Sequence, residues 1–170
     1  MQKITFYALA LVMAVSTPAC AQTKKSISAS GSVEVLEATR QTTNPGRREM
    51  EPFTIYRFRI IWKSKSTPTS FFWKPDATAW METHIAKPIK IPGLAPGDVM
   101  VIERNITAKE VHYGDTVILT TRRHAHDEEP MPAQVKGMPA SGLFYQTSAA
   151  PSNWQRTAIT IRKLPDMNMP

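Results

Sequence analysis

The stretch FTIYRFRIIWK, residues 53–63, restricts the fold more than any other part of the chain. Tyr56, Phe58, Ile60 and Trp62 take every second position, with Arg57, Arg59 and Ile61 between them. At period two, successive side chains point to opposite faces of a pleated strand. The aromatic set therefore enters a core and the arginines enter water. On a helix the same residues would scatter around the circumference.

Other segments repeat this signal. Residues 32–40 place Val33 and Val35 on one face. Residues 69–73 (TSFFW), 99–106, 116–123, 143–147 and 157–164 also read as strands. Residues 77–85 (ATAWMETHI) alternate only in part, and their Ala, Met and Glu favour helix; they too are read as strand. Gly97-Asp98-Val99 and Gly114-Asp115-Thr116-Val117 share a design in which glycine and aspartate turn the chain and a strand follows. Asn44-Pro45-Gly46 marks another turn, within a connection over 41–52. The fourteen prolines suit loops and strand edges, where a missing N–H costs little. About seven or eight short strands with no amphipathic helix predict an all-β fold, an antiparallel immunoglobulin-like β-sandwich, as one domain over residues 32–170.

The N-terminus reads as a secretory leader over residues 1–21. Lys3 is followed by an apolar run over residues 4–15, too short to span a bilayer, which needs roughly 20 residues. Two processing readings compete. Ala19-Cys20-Ala21 is a small-x-small site that releases a chain from Gln22, and this fits better. Thr17-Pro18-Ala19-Cys20 is a lipobox that would keep Cys20, the one cysteine, as a lipid-bearing N-terminus, but Thr17 stands where an aliphatic residue is preferred. Residues 22–31 (QTKKSISASG) are small and polar and read as a flexible tether. No other run is apolar enough for a transmembrane helix, so contact with a membrane would come only through a lipid on Cys20. The expected location is the periplasm, the exterior, or a bacterial envelope membrane held by that lipid.

Removing the leader leaves 149 of the 170 residues, with twenty basic against fourteen acidic side chains, a charge of +6. In a cytosolic protein that balance would suggest nucleic acid. Export argues against it and leaves an envelope protein or an acidic glycan as the partner. The basic residues Arg57, Arg59, Lys63, Arg122 and Arg123 are candidate contacts. Phe71, Phe72 and Trp73 are consecutive, so one strand cannot turn all three inward. An outward Trp73 would form an aromatic platform beside the arginines, suited to stacking on a sugar ring.

A second reading is copper handling, the only cofactor the residues suggest. His124 and His126 share a strand face if the strand runs that far, and Met131 and Met138 follow, each before a proline. Imidazole suits Cu(II) and thioether suits Cu(I). Catalysis has no comparable support. There is no G-x-S-x-G elbow, no phosphate-binding glycine loop, and no cysteine after the leader. The leading expectation is a non-catalytic exported protein with a binding or structural role.

Overall fold

In the computed structural model the alternating stretch becomes a strand in the interior of the larger of two sheets. The structure describes residues 31–46, 50–93, 97–124, 130–139 and 141–169. The leader, Cys20, nearly all of the tether, and His126 lie outside them.

The strands are β1 (Val33–Asn44), β2 (Phe53–Trp62), β3 (Pro68–Lys74), β4 (Met81–Glu82), β5 (His84–Pro92), β6 (Val99–Ile106), β7 (Thr116–His124), β8 (Gly142–Thr147), β9 (Ala150–Thr157), β10 (Arg162–Lys163) and β11 (Met167–Asn168). A seven-stranded sheet runs β10-β1-β2-β7-β5-β6, with β11 also paired to β1. A four-stranded sheet runs β4-β3-β8-β9. The fold is mostly β, as the alternation predicts. It is not antiparallel throughout: β10 and β11 both run parallel to β1. Two short helical turns, Ala108–Glu110 and Ala133–Lys136, interrupt the strands.

Tyr56, Phe58, Ile60 and Trp62 of β2 are buried, and Arg57 and Arg59 are exposed. The buried set meets the four-stranded sheet directly. Trp62 stands edge-on to Phe71 and Tyr145, and Trp73 packs against Tyr56 and Phe58. Val33, Val35, Val117, Leu119 and Leu143 complete this shared core. Each such side chain contributes about 1.5–3 kcal/mol by leaving water.

Trp73 is therefore a core residue, with 1% of its surface exposed, and not the outward ring of an aromatic platform. In β3 the pair Phe71 and Trp73 shares the inward face, and Phe72 takes the outer one. That outer face has its own roof. Phe72 stacks on Trp80 at 4.7 Å, and Trp154 stands edge-on to both. Trp80 also meets Phe144, and Val135 closes the cluster from the turn Ala133–Lys136.

Both Gly-Asp turns form where expected. Gly97 and Gly114 have φ of +90° and +86°, a region open to glycine, and strands start at Val99 and Thr116. Residues 77–85 depart from the strand reading. Residues 77–80 form no strand, and the rest divides between β4 and the start of β5.

β5 holds the detail that shapes the outer face of the larger sheet. It pairs with β7 only over His84–Ala86, yet stays paired with β6 to Pro92. The Gly93 N–H bonds the Asp98 carbonyl at 2.8 Å, which fixes the alternation along this hairpin. The peptide nitrogens of even-numbered β5 residues then point toward β7. Pro88 is the next residue on that side and has no N–H, so the ladder to β7 ends there.

Candidate functional site

Free of β7, the β5–β6 limb leans over the outer face of the seven-stranded sheet. Its reach is visible in an ion pair between Glu103 of β6 and Arg57 of β2, which are separated by two intervening strands. Under this limb lies a groove of about 620 Å³, within the range of roughly 300–1,000 Å³ usual for ligand sites.

Sheet register explains the lining. Thr39 lies opposite Arg57, Glu37 opposite Arg59, and Arg59 opposite Ile118, so these side chains share one face. β10 adds Arg162, whose guanidinium bonds Glu37 at 3.0 Å across 125 residues of sequence. Leu36, Ile118, Val101, Pro88 and Leu164 form the apolar walls. Leu36 sits where β1 slips register between Val35 and Glu37, a bulge that re-aims a side chain.

Two of the three arginines are matched by carboxylates, Arg57 by Glu103 and Arg162 by Glu37. Arg59 has no ion pair among the described residues. The groove thus offers one uncompensated guanidinium beside two that can exchange partners, flanked by aliphatic surface. Among the described residues its lining holds no aromatic ring.

The other expected contact residues lie elsewhere. Lys63, just past β2, pairs with Glu34 at 3.0 Å, both well exposed. Arg122 lays its guanidinium 3.4 Å over the ring of Phe53. Arg123 points the opposite way from Arg122 and joins the two sheets. It bonds Asp76, in the turn after β3, at 2.8 Å. Asp76 also accepts the N–H groups of Thr78 and Ala79 and the Thr78 hydroxyl. Partial burial is the largest influence on this carboxyl and raises its pKa. The hydrogen bonds together outweigh it and hold Asp76 well below the usual carboxylate range. Arg123 is thereby a structural tie.

The copper candidates are not brought together among the described residues. His124 ends β7 and packs against Phe53, with ring centres 5.6 Å apart. Met131 and Met138 pack on the Trp80–Val135–Phe144 cluster, a gap-filling role common for this side chain. No group of three His, Cys, Asp or Glu side chains among the described residues is placed to hold a metal. No helix among them is long and apolar enough to cross a membrane.

Two residues outside the sequence-based candidates prove important. Arg162 lies in the segment 157–164 expected as one strand, of which only Thr157, at the end of β9, and Arg162–Lys163, as β10, are paired, and it reaches the groove from there. Lys74 is buried at 1% exposure under the aromatic roof, where its ammonium donates to the carbonyls of Val135 and Met138, each at 3.1 Å. The signal for Lys74 was present: it alternates with Trp73 beside Phe72, on a face already rich in aromatics.

Comparison with protein-family models, with curated proteins and with solved structures gives no match.

Proposed function

We propose that this chain is a non-catalytic binding protein of the bacterial cell envelope, a β-sandwich exported by its leader, which holds an acidic segment of a protein partner in the groove over the seven-stranded sheet. The supporting observation is the groove itself, with Arg59 unpaired between two exchangeable arginine–carboxylate pairs and aliphatic walls on either side. Guanidinium groups bind carboxylates in a fork, and aliphatic walls suit the stem of a glutamate or its apolar neighbours. A glycan is disfavoured because the described lining of the groove offers no aromatic face for a sugar ring to stack on, and the tryptophan expected to provide one is in the core.

Poly-glutamate and polygalacturonate, an acidic peptide and an acidic glycan, separate the two partner classes by fluorescence anisotropy. Poly-glutamate is expected to bind, to weaken with salt, and to lose about tenfold in affinity in the Arg57→Gln/Arg59→Gln protein. Lys63→Gln/Arg122→Gln removes the same charge away from the groove and is expected to have little effect. An equal loss in both variants reduces the binding to general charge. Tighter binding of polygalacturonate puts the glycan in place of the peptide. Export is tested separately by the intact mass of the product made in a Gram-negative host. A chain from Gln22 means Cys20 was removed, and a chain from an acylated Cys20 means display at a membrane surface.

A further inference from the structure

Val99, Met100, Val101 and Ile102 are four consecutive exposed apolar residues, with Val99 and Val101 each at 62% exposure. They lie on β6, which is the edge of the seven-stranded sheet. Edges of this kind are normally blunted by charge, proline or brevity. The opposite edge of the same sheet follows that rule: β10 is the two residues Arg162 and Lys163, and Pro165 follows soon after. In the other sheet β4 has two residues, and the outermost strand β9 begins Ala-Pro-Ser-Asn. Among the described residues, β6 is the one long apolar edge.

The hairpin alternation also states which peptide groups are open. Even-numbered β6 residues exchange hydrogen bonds with β5, so Val99, Val101, Glu103 and Asn105 aim their N–H and C=O groups outward. An antiparallel neighbour identical to β6 must then align odd residues with odd residues. With the two-fold axis at Val101, Met100 faces Ile102 of the second copy and Asp98 faces Arg104 of the second copy, twice per pair. An axis at Met100 sets Ile102 against Asp98, and an axis at Glu103 sets two carboxylates together. Asp98 and Arg104 are both exposed. An axis at Ile102 sets Met100 against Arg104 and Asp98 against Ile106, so the axis at Val101, although it also sets Val99 against Glu103 of the second copy, is the register of these four that brings opposite charges together.

We infer that β6 pairs edge to edge with β6 of a second copy, forming a two-fold dimer with its axis at Val101. One competent edge among the described residues gives a closed pair and not a filament. Val101 also lines the groove, so the dimer sets the two grooves side by side. The inference stands on the edge alone and does not depend on what the groove binds.

Sedimentation velocity of the purified exported protein over a concentration series tests this, with three kinds of variant. Val101→Pro removes an outward N–H, leaves the β5 ladder complete, and is expected to give a monomer with an unchanged circular dichroism spectrum. Asp98→Arg and Arg104→Asp each set like charges against one another at two places, and each is expected to weaken the dimer about tenfold. The double variant restores opposite charges and is expected to return to within about threefold of the parent. Within one chain the two positions lie roughly 20 Å apart, too far for direct rescue. A monomer at every concentration, a dimer indifferent to Val101→Pro, or a double variant no better than either single change overturns the proposal. So does a protein that dimerises only after residues 22–30 are removed, since that segment would then own the edge. The charge variants keep the test intact should Val101→Pro fail to fold.

Discussion

The two outer faces of the molecule receive opposite treatment. On the four-stranded sheet, Phe72 and Phe144 lie beneath Trp80, Trp154 and Val135, and even the Lys74 ammonium is enclosed. On the seven-stranded sheet, Arg57, Arg59, Glu37 and Glu103 stay in contact with water under a hairpin that leans over them. The difference begins in the alternation. β2 carries arginine at its outward positions, whereas β3 carries aromatics on both faces and so demands a second cover. A roofed face contributes to stability, and an open charged one leaves side chains available for a partner.

The largest expected effect is on the roof. Trp80→Ala removes one stacked and two edge-on ring contacts and is expected to lower stability by about 3–5 kcal/mol, read from the urea midpoint. Next is Lys74→Met, which keeps the volume but strands two carbonyls. It is expected to cost about 2–3 kcal/mol and to open residues 130–139 to proteolysis. A roof variant as mild as a surface change would show that the cluster is a loose flap, and the contrast between the faces would fail.

Asp76 gives a smaller, pH-dependent effect. Its carboxyl is depressed in the folded protein, so its contribution is fully present above the unfolded value near pH 4 and is lost as pH falls through the folded value. Asp76→Asn is expected to cost about 1 kcal/mol at neutral pH, discounted for partial exposure, and to flatten the decline of stability below pH 4. An acid limb as steep in the variant as in the parent would assign that decline to other carboxylates. Smallest of all is Arg59→Gln, expected to change stability by less than about 0.5 kcal/mol. A large loss there would mean that the open face is structural after all.

Much of the open face was legible from sequence, and much of the roof was not. Period two placed Arg57 and Arg59 outward, and the Gly-Asp turns announced β6 and β7. Three consecutive aromatics announced an outward ring but not which one. The face holding two of them, Phe71 and Trp73, went to the core, and this returned Trp73 from a surface candidate to the interior. β9 was hidden because Pro, Ser and Asn have low strand propensity, although it delivers Trp154 to the roof. The extension of β5 past Ala86 was hidden by Pro88 and Pro92, which are tolerated because their nitrogens face away from β6. A strand of two residues such as β11 is below the length at which any period can be counted. Residues 157–164 were expected as one strand, but only Thr157, in β9, and Arg162–Lys163, as β10, pair, and the place of β10 beside β1 is what brings Arg162 to the groove.

The parallel clasp of β10 and β11 on β1 has a consequence in time. Thr43 and Asn44 are paired with Met167 and Asn168, 124 residues further along the sequence. At roughly 5–20 residues per second, those partners leave the ribosome some 6–25 s after the strand they cover. Throughout that interval the outer edge of β1 waits for β10 and β11.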